Sequence, residues 1–163
     1  EKGGWQNRCK IRTPHGDRWL TVPVHAPGLL KDIRIDGNHW RKTHRKTLAW
    51  AYGGLSETLA GIYAMRWERL APLARATMVY LADCEGIVTP TRLASDIPAD
   101  APDPTDRLVA LCRWAGAETY LTGPGGLTYL RREAFDAAGF VVELVTGDWP
   151  PYTALDALQR QAA

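Results

Sequence analysis

The sequence predicts an α/β fold: a mainly parallel sheet with flanking helices in a Rossmann-like three-layer arrangement, plus a helical segment around residues 39–84. Three observations predict it. Strand-like and helix-like segments alternate along residues 104–145. Apolar residues recur at helical spacing between residues 39 and 84. A glycine-rich loop follows a strand-like run, as loops at the carboxyl ends of parallel strands do. With 163 residues, the chain is expected to form one domain over residues 1–163.

The first strands are predicted from β-branched and apolar runs. "RWLTVPV", residues 18–24, is typical of a strand, and Pro23 and Pro27 are expected to end it. "KDIRID", residues 31–36, alternates more weakly and is expected to pair with it. The preceding segment, "KGGWQNRCKIR", is interpreted either as a strand with outward basic residues or as part of a binding site.

Helices are predicted over the next part of the chain. In "HWRKTHRKTLAWAY", residues 39–52, apolar side chains and one histidine share a face and basic residues cover the rest, which predicts an amphipathic basic helix. Gly53 and Gly54 are expected to end it. A long helix is predicted from Leu55 to about Ala82, broken or bent near Pro72.

The last third predicts crossover units. A short strand is expected around residues 91–94, and a helix from Pro104 that Asp103 caps and Gly116 ends. "ETYLTG" is strand-like, "RREAFDAAG" is a helix that Gly139 ends, and "VVELV" is strand-like again. This order favours parallel strands joined by helices.

Charge is distributed unevenly. The net charge is only +2, but residues 1–50 hold 11 Lys and Arg against 4 Asp and Glu, whereas the remainder holds 9 against 14. Such asymmetry suits an anionic partner, namely a small phosphorylated molecule, a nucleotide or the phosphopantetheine of a carrier protein. A solvated basic face is the alternative. Nucleic acid is the least favoured partner because the net charge is small and no reader motif occurs.

Neither a membrane nor an oxidising compartment is predicted. No stretch approaches the ~20 apolar residues of a membrane span. Cys9, Cys84 and Cys112 are widely spaced, without a Cys-x-x-Cys pair, which is typical of reduced thiols in a cytoplasmic protein. We therefore predict a cytoplasmic location.

The glycine-rich loop "TGPGG" is the first candidate site. Gly123, Gly125 and Gly126 could let main-chain N–H groups bind an anion, although a tight turn without a ligand is equally consistent. Ser95, after the expected strand, and Thr105, at the start of the next helix, would lie along the same rim if the strands are neighbours.

The basic strand is the second candidate site. Arg8 and Lys10 supply cations, Asn7 an amide, and Trp5 a stacking surface, so together they could hold a nucleotide, a phosphorylated sugar or a pantetheine phosphate.

His44 is the candidate acid–base residue, because its helical position predicts an inward side chain; a buried structural histidine is the alternative. His39 and His44 are five residues apart, which does not bring two imidazoles together on a helix. No metal site is predicted, and no nucleophile motif occurs.

Both rich segments resemble the WbqC-like protein family. The resemblance rests on "KGGWQNRCKIRTPHGDRWLTVPV", "HWRKTHRKTL" and "TDRLVALCRWAGAETYLTGPGGLTYLRREAFDAAGF", in this order. It implies an α/β fold and a role in making surface polysaccharides such as O-antigen, or secondary metabolites. Residues carried over by position in these motifs are Trp5, Asn7, Arg8, His44, Ser95, Thr105, Tyr120, Gly123, Gly125, Gly126 and Tyr129.

Departures from the family pattern set a further expectation. Family members usually begin with a segment like "HQPNYLPW", a helix, and a strand that ends in an acidic pair, so this chain is expected to lack the first βαβ unit. Loops near residues 53 and 152 are expected to be shorter than in the family. A catalytic base is therefore expected either at His44 or in that first unit.

The resemblance implies transfer of an acyl or aminoacyl group to an amine, such as an amino sugar or a metabolite precursor. No cofactor is assigned, but the donor is expected to be a pantetheine thioester, either acyl-CoA or a carrier protein. Two alternatives stay open: an ATP-dependent ligase or nucleotidyl transferase, and a non-catalytic module that docks a carrier protein through residues 40–51.

Overall fold

The computed structural model describes residues 4, 6–25, 28–98, 101–147 and 152–161. The elements are β1 (Arg8–Ile11), β2 (Arg18–Thr21), β3 (Val24–His25), β4 (Arg34–Ile35), α1 (His39–Tyr52), α2 (Glu57–Ala64), α3 (Leu70–Cys84), α4 (Pro104–Ala115), β5 (Thr119–Thr122), α5 (Arg132–Ala137), β6 (Val141–Leu144) and α6 (Ala154–Gln161). The predicted α/β class is confirmed. The chain packs as two units: unit 1 is residues 1–89 and 150–163, and unit 2 is residues 90–149. That residues 1–163 form one domain stays a prediction.

The strands of unit 1 form two small antiparallel sheets. β1 pairs with β2, with Cys9 opposite Leu20. β3 pairs with β4, with Val24 opposite Ile35. The predicted pairing of residues 18–24 with residues 31–36 is therefore confirmed only at Val24, because β2 pairs with β1. The run predicted as one strand over residues 18–24 is split in two. Pro23 lies at the split, where its ring offers no N–H to a strand ladder.

Helix α1 has the predicted bounds and ends at Gly53, whose φ of 74° is the left-handed conformation that glycine adopts without strain. The helical stretch predicted after it is broken, but the predicted place of the break near Pro72 is wrong: α2 ends at Met65, which is extended, and α3 starts at Leu70. Pro72 lies inside the first turn of α3, where a missing N–H removes no helical hydrogen bond.

The described residues of unit 1 form an apolar core where α1, α2 and α6 meet β1 and β2. Its buried members are Ile11, Leu20, Leu48, Leu59 and Leu155.

Unit 2 contains one parallel pair and its crossover. Asp103 caps α4 by accepting hydrogen bonds from the backbone N–H groups of Thr105 and Asp106, and Gly116 ends the helix at a φ of 64°. β5 pairs in parallel with β6, with Tyr120 opposite Val142. The strand predicted around residues 91–94 is wrong: residues 91–93 are irregular, and a 3-10 helix covers Ala94–Asp96.

One face of the β5–β6 pair is covered and the other is open. Phe135 of α5 packs with Val109, Cys112 and Val142 in the core of unit 2. On the opposite face, Leu121 and Val141 are 59% and 60% exposed. In the part of the chain that the structure describes, the parallel sheet has two strands and the other sheets are antiparallel. The Rossmann-like three-layer arrangement therefore stays a prediction.

Candidate functional site

A cavity of about 580 Å³ lies within unit 1. Its wall is built by β1, β2 and four helices and is mainly apolar; Leu20, Leu48, Leu59, Leu73 and Leu155 are among its members. This volume is in the range of small-molecule sites, which are also lined mostly by apolar side chains with a few polar groups. We take this cavity as the candidate site.

His44 of α1 contributes an imidazole to the cavity wall. It is 5% exposed, so the predicted inward orientation is confirmed. Trp40, one turn earlier on α1, and Tyr63 of α2 surround it, with ring centroids 5.2 Å and 5.9 Å from that of His44 in edge-on contacts. The three rings form a compact aromatic cluster beside the cavity.

The hydrogen bond of His44 fixes which nitrogen is basic. Its Nε2 lies 3.1 Å from the carbonyl oxygen of Thr21 and donates to it. Because a carbonyl oxygen only accepts, Nε2 carries the proton and Nδ1 is the nitrogen with a free lone pair. Burial lowers the pKa of His44, and the bond to Thr21 opposes this only in part. The imidazole is therefore neutral at pH 7.

Two other titratable groups in the wall are kept neutral. Burial raises the pKa of Cys9, and burial together with the nearby Cys9 raises the pKa of Tyr63. A thiol with a raised pKa is a poor nucleophile, because the thiolate is the reactive form. The neutral imidazole of His44 therefore brings a basic nitrogen to this wall, which the protonated Cys9 and Tyr63 do not.

The predicted basic strand holds its cations in local contacts. Asn7 and Arg8 contribute to the cavity wall, but the Asn7 amide donates to the carbonyl oxygen of Val22 at 2.9 Å and so secures the start of β1. The Arg8 guanidinium lies 4.6 Å from the centre of the Trp19 ring. Lys10 pairs with Asp17 at 3.4 Å. Their role in binding phosphate stays a prediction, and Trp5 lies outside the described residues.

The glycine-rich loop lies in unit 2, and the structure gives a reason for one of its glycines. A Cβ on Gly126 would collide with the Thr122 hydroxyl, so this position needs a bare backbone. At Gly123 and Gly125 a Cβ would meet no atom of the described residues within 4 Å, and the φ of Gly125 is −63°, open to any residue. Packing therefore explains Gly126, while an anion-binding role for the loop stays a prediction.

Other predicted site residues of unit 2 differ in accessibility. Thr105 is buried and accepts a hydrogen bond from the Arg131 backbone N–H at 3.3 Å. Tyr120 packs on Phe135, with ring centroids 5.0 Å apart. Ser95 and Tyr129 are exposed. The strand expected before Ser95 does not form, so the reason for placing Ser95 on the rim of the glycine-rich loop is lost.

Sequence reasoning missed two polar groups of unit 1, the half-buried Tyr63 and the buried Asp156. Tyr63 faces His44 from α2, and its helical spacing from Leu59 was the available signal. Asp156 of α6 is 2% exposed and accepts hydrogen bonds from the Arg12 backbone N–H and the Tyr52 hydroxyl, each at 3.2 Å. Asp156 thus joins α6 to α1 and to the residue that follows β1, and no local pattern marks it.

Within the described ranges, no three His, Cys, Asp or Glu side chains lie close enough to hold a metal ion. No described helix has the length and apolar character needed to cross a membrane.

The comparisons with known proteins agree with the resemblance. The chain is 32% identical over 146 residues to "Uncharacterized protein Rv1507c" of Mycobacterium tuberculosis (strain ATCC 25618 / H37Rv). The match covers 83% of this chain and 63% of that protein. No solved structure matches at a significant level. The model of the WbqC-like protein family matches residues 1–158. The chain therefore belongs to the WbqC-like protein family.

Proposed function

We propose that this protein is an acyltransferase that moves an acyl group from a pantetheine thioester to an amine, with the acyl chain in the cavity of unit 1. One observation carries the proposal: a mainly apolar cavity of about 580 Å³ has a buried, neutral histidine in its wall. An apolar wall favours a hydrocarbon chain over a charged aminoacyl group, because burying an unpaired ammonium is costly.

His44 is the general base of the proposed reaction. The amine nitrogen attacks the thioester carbonyl carbon, and Nδ1 of His44 takes a proton from that nitrogen. The C–S bond then breaks, and the imidazolium returns the proton to the leaving sulfur. The products are an amide and a free thiol, and no further reactant is required. The hydrogen bond to Thr21 holds the imidazole in the tautomer that this step needs.

The setting of the reaction belongs to the same proposal. The amine is that of an amino sugar or of a secondary-metabolite precursor, and the product enters a surface polysaccharide such as O-antigen or a secondary metabolite. In this proposal the enzyme acts in the cytoplasm, and its fold is a Rossmann-like three-layer arrangement.

The test is an acyl-transfer assay on the full chain. Acyl-pantetheine thioesters of increasing chain length are incubated with an amino sugar, and the amide is measured by mass spectrometry. We expect His44→Gln to lower kcat/KM about 10²–10⁴-fold, the usual contribution of a general base. His39→Gln is the matched control, because His39 is exposed on the same helix.

Two outcomes would overturn the proposal. Equal activity of His44→Gln and the parent protein would remove the base. Amide formation only from a free carboxylic acid and ATP would replace the transferase with an ATP-dependent ligase.

A further inference from the structure

Helix α1 has two faces with opposite roles. Trp40, His44 and Leu48 are buried on the cavity side. Lys42, Arg45 and Lys46 are exposed on the opposite side. At about 3.6 residues per turn, these three cations fall within little more than one turn of one face. The same helix therefore supplies the proposed base and a cationic surface.

This cationic surface lowers the stability of its own helix. α1 has no acidic residue in its first turn, and Asn38 forms no side-chain cap hydrogen bond. Positive charge near a helix N-terminus opposes the macrodipole, and Lys42 with Lys46 are like charges four residues apart. Neither arrangement helps the helix to form.

Some other basic residues of unit 1 are held in local contacts, unlike these three cations. Lys10, Arg12 and Arg69 each pair with a carboxylate. The Arg41 guanidinium donates to the carbonyl oxygens of Ala64 and Met65 at the end of α2. No acidic side chain of the described ranges forms an ion pair with Lys42, Arg45 or Lys46.

An exposed aromatic side chain adjoins the cations. Trp50, one turn beyond Lys46 on α1, is 46% exposed. His15 stacks on it, with ring centroids 5.3 Å apart and planes at 15°. Tryptophan and arginine are enriched in protein-binding surfaces, and Trp50 and Arg45 supply both side-chain types here.

We propose that α1 is the docking surface for an acidic carrier protein that delivers the acyl thioester. The inference rests on the proposed function and names its donor: a thioester on the phosphopantetheine of a carrier protein rather than free acyl-CoA. Carboxylates at i, i+3 and i+4 of a partner helix match the spacing of Lys42, Arg45 and Lys46.

The size and composition of the surface favour a protein partner. The segment from Lys42 to Lys46 spans about 6 Å of the helix axis. This is shorter than the row of phosphates that a nucleic-acid-binding surface contacts. Helices that lie on a membrane surface bury a broad apolar face in it. Among the described residues of α1, Trp50 is the only large apolar side chain that is exposed.

The test compares two charge-reversal variants of the full chain. Lys42→Glu/Arg45→Glu/Lys46→Glu changes the docking surface. Lys31→Glu/Arg66→Glu/Arg75→Glu changes net charge equally at three exposed positions elsewhere in unit 1. Binding of a fluorescent acidic acyl carrier protein is followed by anisotropy at low salt. Single-stranded DNA and phosphatidylcholine–phosphatidylserine vesicles are tested in parallel.

We expect the α1 variant to bind the carrier at least about tenfold more weakly and the control variant to bind like the parent, since rim charges act through local complementarity. The kcat/KM of the α1 variant should fall when the acyl group is carried by the carrier protein and stay unchanged when the same acyl group is on free pantetheine. Equal weakening in both variants would overturn the inference, as would binding to DNA or vesicles without binding to the carrier.

The two proposals fail separately. Transfer from acyl-pantetheine with carrier binding that is insensitive to α1 would refute the docking surface and leave the transferase standing. Carrier binding through α1 without transfer from either donor would refute the transferase and leave the docking surface standing.

Discussion

Nε2 of His44 donates a hydrogen bond to the carbonyl oxygen of Thr21, 3.1 Å away, and so joins α1 to the end of β2. Nε2 carries a proton in both the neutral and the charged imidazole, so this bond is compatible with either state. Burial favours the neutral state. One contact therefore fixes the position of the imidazole and leaves Nδ1 as its basic nitrogen.

This burial predicts a pH dependence of stability. Burial lowers the pKa of His44 in the folded protein below the unfolded value of 6.5. Between the folded and the unfolded pKa, the unfolded chain therefore binds more protons than the folded protein. The contribution of His44 is complete above about pH 6.5 and is lost as pH falls towards the folded pKa. Urea unfolding at about pH 7.5 and about pH 5.5 measures this loss.

His44→Gln should lose less stability between those two pH values than His39→Gln, which keeps His44 and changes only an exposed histidine. An identical loss in both variants would show that His44 titrates normally in the folded protein.

The glycine-rich loop predicts opposite effects of one methyl group at two positions. Gly126→Ala should cost about 1–3 kcal/mol, because the new Cβ collides with Thr122. Gly125→Ala should be neutral or stabilise by about 0.4–1 kcal/mol, since its backbone suits any residue and the unfolded chain loses freedom. Denaturant titration gives both values.

Thr122→Ala combined with Gly126→Ala provides the internal check. Because both changes act on one contact, their joint cost should be less than the sum of the single costs. Simple additivity would mean that Thr122 is not the colliding group.

The start of α4 predicts unequal effects at two aspartates. Asp103 caps the helix and pairs with Arg131 at 2.8 Å, which lowers the pKa of Asp103. Asp106 pairs with the same arginine at 2.6 Å but caps nothing. Asp103→Ala should therefore lower Tm more than Asp106→Ala does. A reversed order would show that the Asp106 ion pair contributes more than the cap and the ion pair of Asp103 together.

The core of unit 2 predicts a large effect at one aromatic residue. Phe135 is fully buried among Val109, Cys112 and Val142, so Phe135→Ala should cost about 3–5 kcal/mol. Leu121→Ala, on the open face of the same sheet, should change stability by at most about 0.5 kcal/mol. Thermal unfolding of both variants tests the contrast, and a comparable loss at Leu121 would mean that this face is covered in solution.

Elements with local signals could be predicted from the sequence. α1 has a clear apolar period and a glycine stop, and α4 has an aspartate cap, a proline and a glycine stop. The break before α3 could not be predicted, because neither glycine nor proline marks Met65, while Pro72 suggests a break where the first helical turn tolerates it. The strand expected at residues 91–94 does not form, because a strand needs a neighbouring strand to pair with, and among the described residues none pairs with this segment.

The candidate site shows the same division. Helical spacing alone predicts that His44 points inward. The cavity, by contrast, is made by elements that are far apart in the sequence, and the contact between His44 and Tyr63 joins two helices. Such relations depend on how elements pack, which periodicity does not encode.

The cations of α1 imply that recognition and stability oppose each other in this helix. Lys42→Glu would place an acidic side chain in the first turn and, with Lys46, create a favourable pair at i, i+4. This change, which should weaken the binding of an acidic partner, should thus make the free protein more resistant to heat. A sequence shaped only for robustness would carry glutamate there; a lysine is the residue expected when the surface is kept for another molecule.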